Sequence, residues 1–149
     1  LAGEVEWLTS EQHPDGYWPD KWHASPYYAT ERTVRALADQ GGDRLSAAVA
    51  REVDWTADGQ RPDGSWGVWG GTAEETAYAV NILLNSTEHA ARSEVTEALR
   101  RAEHILRDVS RSSGHRHPAL WHDKTLYAPQ AMAQAEVSAA LELLLTHRP

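Results

Sequence analysis

The chain contains no cysteine, which excludes disulfides, thiolate nucleophiles and zinc–cysteine sites together and suits a cytoplasmic protein. It contains no phenylalanine either, so 7 Trp and 5 Tyr must supply all of its aromatic packing. Lysine is nearly missing. Lys21 and Lys124 stand against 12 arginines, a ratio that reads as coding bias. With a net charge of −8 and a pI near 5.4, the chain lacks the basic surface that general nucleic-acid binding needs. No apolar run reaches the roughly 18 residues of a membrane span, and no period-two run reads as a strand.

What is present is helical and repetitive. The 149 residues, 41% hydrophobic and 24% charged, suit one domain-sized unit with a moderate core. Leu1 falls inside a segment that itself reads as a helix, so the chain is expected to be part of a larger protein. "WLTSEQHPDGYW" (Trp7–Trp18) and "WTADGQRPDGSW" (Trp55–Trp66) share Trp, Gln, Pro, Asp, Gly and Trp at a shift of 48. "WHASPYYA" (Trp22–Ala29) and "WHDKTLYA" (Trp121–Ala128) share Trp, His, Tyr and Ala at a shift of 99, about twice the first. Together these registers imply three repeats of about 48–50 residues, near 1–43, 44–90 and 91–149.

Each repeat reads as two helices. Val95, Ala98, Leu99, Ala102, Leu106 and Val109 form a one-sided stripe at the helical period, as do Leu45, Ala48, Val49 and Val53. By contrast, "AEETAYAVNILL" (Ala73–Leu84) and "APQAMAQAEVSAALELLL" (Ala128–Leu145) are apolar nearly all round. Half-wet helices alternating with buried ones predict an all-α fold, an α/α toroid. About six helices would make half of an (α/α)6 barrel, with Pro-Asp-Gly supplying turns between its layers.

The element W-x4-Q-x2-DG-x-W, present twice, resembles the QW motif of the terpene cyclase and squalene–hopene cyclase superfamily; Thr56 departs from the hydrophobic residue common there. "DKWHASPYYAT", "GSWG…GGTAEETAYAV" and "LWHDKTLYAP", in that order, resemble the C-terminal half of the β domain of bacterial class II diterpene cyclases. The resemblance implies an enzyme that protonates a linear prenyl diphosphate, C20 geranylgeranyl or C15 farnesyl, at its far alkene. The diphosphate is retained, and magnesium has a weak part in such enzymes. The family's general acid, the middle Asp of Asp-x-Asp-Asp, is absent, because no two aspartates lie closer than four positions apart. The chain alone is therefore expected to be inactive and to need the rest of a cyclase, its N-terminal β half and γ domain. Failing that, its open inner seam would drive self-association.

Gln12, Trp18, Gln60 and Trp66 read as structural staples between helix ends and loops. Lys21 and Lys124 each directly follow an Asp. Each either pairs with a carboxylate and staples a loop or, from its place in the resemblance, contacts the diphosphate. Trp22, His23, Tyr27, Tyr28, Trp69, Trp121, His122 and Tyr127 complete the candidate substrate-binding set. Their rings either pack helices or stabilise a carbocation, at about 0.5–2 kcal/mol per ring. His23, His122, Tyr27 and Tyr28 are chemically eligible to take the final proton, and nothing ranks them. Glu74 and Glu75 read as first-turn acids on the helix dipole. His115 and His117 read as solvated loop residues, and no dedicated metal spacing appears.

Two other classes remain. A protein prenyltransferase or thioester domain shares the architecture but needs a cysteine. A non-catalytic α/α module would bind a partner or an isoprenoid lipid on its concave face.

Overall fold

The computed structural model describes residues 2–38, 43–86 and 92–147. Among them are six helices: α1 (Ala2–Ser10), α2 (Pro26–Leu37), α3 (Asp43–Asp58), α4 (Ala73–Asn85), α5 (Ser93–Arg111) and α6 (Gln130–Thr146). α1, α3 and α5 pack in sequence as an outer row, and α2, α4 and α6 as an inner row against it. This is the two-layer α/α arrangement of a partial toroid. No helix among the described residues is long and apolar enough to cross a membrane.

Local chemistry sets the inner helix starts. Ser25 caps α2 by accepting from the Tyr27 N–H, with Pro26 at the first helical position. Thr72 caps α4: its hydroxyl accepts from Glu75 N at 3.0 Å and donates to Glu75 Oε2 at 2.8 Å. Glu75 Oε1 then accepts Val68 N at 2.9 Å, so one side chain ties the preceding loop to the helix.

α4 is the centre of the molecule. Every residue from Ala73 to Leu84 is buried, because α2 and α6 flank it while α3 and α5 lie behind it. Each buried Val, Leu or Ile contributes about 1.5–3 kcal/mol, so Val80, Ile82, Leu83 and Leu84 make this helix a large part of the core. α5 buries Val95, Ala98, Leu99, Ala102 and Leu106, the expected stripe, with Val109 packed at its edge. Leu45, from the corresponding α3 stripe, lies outside the described side chains, as do residues 87–91 around the second repeat boundary.

The repeated motif has a repeated geometry. Gln12 Nε2 donates to Gly16 O and to Ala48 O of α3, both at 2.8 Å. Gln60 Nε2 donates to Gly64 O at 3.0 Å and to Ala98 O of α5 at 2.8 Å. Each amide thus joins one outer helix end to the next outer helix. Its oxygen is held in turn by an arginine one turn on, Arg51 or Arg101. Trp18 Nε1 donates to Leu8 O and Trp66 Nε1 to Thr56 O, each at 2.7 Å, satisfying carbonyls at the ends of α1 and α3. Gly16 (φ 111°) and Gly64 (φ 93°) close the turns in a conformation that favours glycine.

Two expectations are corrected. A minimal hairpin exists, with β1 (Trp121–His122) antiparallel to β2 (Leu126–Tyr127), too short to leave a period-two signal. α6 reads as apolar nearly all round yet buries only Ala133, Val137, Ala140 and Leu144. It ends the inner row, and its other side faces solvent among the described residues.

Candidate functional site

The loops preceding the three inner helices converge on the N-terminus of α4. Residues 22–24 and 120–122 run together: Ala24 N donates to Leu120 O at 2.7 Å and His122 N to Trp22 O at 2.8 Å. His23 and Trp121 form a bridge pair between them. The blocks expected to be equivalent at the shift of 99 are therefore also hydrogen-bonded neighbours, with matching positions in opposite environments. His23 is buried and His122 exposed, whereas Trp22 is exposed and Trp121 half-buried.

Beneath this clamp lies Glu74, fully buried. Its Oε1 accepts from Trp121 Nε1 at 2.9 Å, Tyr78 OH at 3.0 Å and His23 Nε2 at 3.4 Å. His23 Nδ1 lies 3.0 Å from Ser25 N and 3.1 Å from Ser25 O, so the Ser25 backbone holds the ring with Nε2 facing the carboxylate. Burial pushes the Glu74 carboxyl up. The hydrogen bonds from His23, Trp121 and Tyr78 outweigh burial and hold it below the usual carboxylate range. Oε2 has no hydrogen-bond donor.

Around that carboxylate the rings of His23, Tyr28, Tyr78 and Trp121 pack at centroid distances of 4.7–5.8 Å. Arg32 sits over Tyr28 at 5.2 Å and over Tyr78 at 5.9 Å. Its guanidinium bridges Glu31 on α2 and Glu136 on α6, spanning α4 between them. Burial opposes the Arg32 charge, but Glu136 and Glu31 hold its pKa above the ordinary value. Burial raises Glu31 despite Arg32 and Arg35 beside it. The inner face at this level is thus a polar and aromatic layer.

Other candidates take varied positions. Lys21 is exposed, its ammonium 5.0 Å from the Trp22 ring centroid. Asp20 Oδ1 accepts from Trp22 N at 3.0 Å, and neither Lys21 nor the exposed Lys124 forms an ion pair among the described residues. The carboxylate-pairing reading of the two lysines is therefore not what the structure shows. Trp22, Trp69 and Tyr127 are 58%, 67% and 46% exposed. Tyr27 differs from its expected place at the mouth. It is buried between the layers, 4.7 Å from the Trp55 ring, and burial followed by Glu75 raises its hydroxyl pKa.

Sequence reasoning missed Glu74 as a hub. The available signal was a Glu and a Tyr four apart on an otherwise apolar helix, where a carboxylate must be buried. His117 corrects the expectation of a solvated loop, which His115 fits. His117 is buried, donates its N–H to Gln130 Oε1 and accepts Gln130 Nε2 at its carbonyl, both at 2.8 Å. Burial lowers its pKa, and it pins the segment before β1 onto α6.

No group of three His, Cys, Asp or Glu among the described residues is placed to hold a metal ion. Glu74 Oε1 is taken up by three donors and the two Glu75 oxygens by Val68 N and Thr72 Oγ1. An open concavity of about 500 Å³, lined by Asp15, Arg51, Asp54, Trp55, Asp58 and Gly59, lies at the outer row and includes none of these residues.

Three comparisons bear on this architecture. The family model described as squalene-hopene cyclase C-terminal domain matches residues 1–126. A copalyl diphosphate synthase from Streptomyces cyslabdanicus is 65% identical over 144 residues, 97% of this chain and 27% of that protein. One from Streptomyces anulatus is 62% identical over 141 residues, 95% of this chain and 25% of its own length. The solved structure of an ent-copalyl diphosphate synthase from Streptomyces platensis superposes with a TM-score of 0.84 at 45% identity, covering 93% of this chain and 27% of that one. The chain spans about a quarter of the length of the curated relatives it matches.

Proposed function

Because the chain belongs to the squalene-hopene cyclase C-terminal domain family, we propose that it is part of a class II diterpene cyclase. The whole enzyme cyclises a linear prenyl diphosphate, geranylgeranyl diphosphate first, by protonating the far alkene and keeping the diphosphate. One proton enters and one leaves, so the product is an isomer of the substrate. The observation that carries this reading is the 65% identity, over 97% of the chain, to a protein named copalyl diphosphate synthase.

In this reading the convergent loops form a substrate-facing end. Lys21 and Lys124 are exposed and free of ion pairs among the described residues, which leaves their charge available to a diphosphate. The half-buried rings of Tyr28 and Trp121 offer π faces at the edge of a water-poor layer. The general acid is not in this chain, which therefore does not turn over by itself. The remainder of the longer cyclase is its partner.

The test is to incubate the whole protein with geranylgeranyl and farnesyl diphosphates, remove phosphate enzymatically, and examine the alcohols by mass spectrometry. A bicyclic isomer of geranylgeraniol is expected. Recovery of only linear alcohols from both substrates sinks the reading.

A further inference from the structure

We propose that Glu74 is a positioning residue for diphosphate recognition, through its grip on the two lysine-bearing loops. The inference rests on the class II cyclase reading and deepens it at the same site.

The geometry is specific. Of the three donors on Glu74 Oε1, two come from different loops: His23 Nε2 from the loop before α2, and Trp121 Nε1 from β1. Lys21 lies two residues before His23, and Lys124 three residues after Trp121, in the tip between β1 and β2. The loops also bond to one another through Trp22 O and His122 N, and through Leu120 O and Ala24 N. One buried carboxylate therefore fixes both lysine segments to each other and to the start of α4, the most buried helix. Two exposed ammonium groups on short, separately mobile loops would have to be ordered each time an anion bound. Loops already locked together lose less freedom on binding.

The carboxylate is the element that does this. Hydrogen bonds to an ionised acceptor are roughly twice as strong as neutral ones, and Glu74 is held ionised by its three donors. Its second oxygen has no donor. Glu74→Gln can place its amide nitrogen where Oε2 stands and keep a carbonyl oxygen toward Trp121, Tyr78 and His23. The substitution removes charge while conserving shape and acceptor. Trp121→Phe is the complementary change, removing one donor and keeping a ring.

The experiment uses the full-length cyclase with geranylgeranyl diphosphate, and inorganic pyrophosphate as a competitive probe of the anion half alone. Glu74→Gln is expected to raise KM and the pyrophosphate inhibition constant together, by about five-fold or more, with kcat within about two-fold because the proton donor lies outside this chain. Trp121→Phe should move both constants in the same direction, and the double variant should be no worse than the worse single variant. In Glu74→Gln, inhibition by geranylgeraniol, which lacks the diphosphate, should not change. An unaltered pyrophosphate inhibition constant in both variants overturns the proposal, as does a parent enzyme that pyrophosphate does not inhibit. Should Glu74→Gln fail to fold, Trp121→Phe decides alone. A parent enzyme that cyclises nothing defeats the functional reading, which is a separate outcome from an active parent with insensitive variants.

Discussion

At the scale of single residues, Glu52 gives the sharpest consequence outside the candidate site. It is fully buried between α3 and the end of α4, and burial pushes its carboxyl up to about 8 against a lowering hydrogen bond with Ser86. Ser86 Oγ lies 2.5 Å from Glu52 Oε1 and 3.0 Å from Ile82 O. One hydroxyl proton cannot serve both acceptors, so a neutral Glu52 donating to Ser86, which donates onward to Ile82 O, satisfies the chain. The folded pKa lies above the unfolded one. The stabilising difference is therefore complete below the unfolded value, near 4.5, and is lost as pH rises through about 8. Within that window stability falls by roughly 1.4 kcal/mol per pH unit from this group. Glu52→Gln should remove that slope: denaturant unfolding should give similar stability for variant and parent near pH 4.5, and a more stable variant at pH 8. Equal pH slopes in the two proteins would contradict the assignment. Glu52 was not legible as buried, because a carboxylate on a half-wet helix has the same local signature whether it faces water or a neighbour. The loops that hold Trp22, His23, Trp121 and Lys124 stood out in the sequence because the repeat at a shift of 99 marked them. Tyr27, adjacent to Tyr28 in sequence, falls on the other side of α2, a difference that spacing alone left unresolved.

At the scale of elements, the glutamine staple converts a sequence repeat into a lattice of outer helices. Gln60→Ala removes bonds to Gly64 O and Ala98 O and frees Arg101 from its amide partner. Thermal or denaturant unfolding should show a loss of about 1–3 kcal/mol for this substitution, the cost of buried acceptors left unmet. Gly16→Ala should also destabilise, because its added Cβ would lie 2.4 Å from Arg51 O at a φ of +111°. A change under about 0.5 kcal/mol at both positions would place the staples among ordinary surface contacts. The fold was readable at this level because the motif repeats its turn chemistry as well as its hydrophobic pattern. Arg51 and Arg101, which hold the two amide oxygens, sit 50 residues apart rather than 48, so the motif register passed over them. The β1–β2 pair left no trace because its strands have two residues each. α6 was misjudged for a physical reason. Apolar composition all round reports what a helix requires of its neighbours, not which neighbours are present.

At the scale of the whole molecule, that unmet requirement makes a prediction about the isolated chain. α6 exposes Met132 and Leu145 at 38% and 42%, beside exposed Ala131, Ala135 and Ala139, so a mostly apolar strip, interrupted by exposed Ser138 and Glu142, runs along the open end of the inner row. Strips of this kind on isolated proteins find partners. We expect the 16.5 kDa chain, expressed alone, to self-associate in a concentration-dependent way in sedimentation velocity. Two forces act in opposite directions on that equilibrium. Apolar contact favours it, while a net charge of −8 on each copy opposes it. Salt shortens the reach of the repulsion to about 10 Å at 0.1 M and leaves the apolar term intact, so association should strengthen as salt is added. An interface held by ion pairs would respond in the opposite sense, which makes the salt series diagnostic. Ala135→Glu with Ala139→Glu places charge on the strip without touching the buried face of α6. The double variant should shift the chain toward monomer while its helical circular dichroism is retained. A parent chain that stays monomeric across both the concentration and the salt series would mean that α6 tolerates water along its whole outer side.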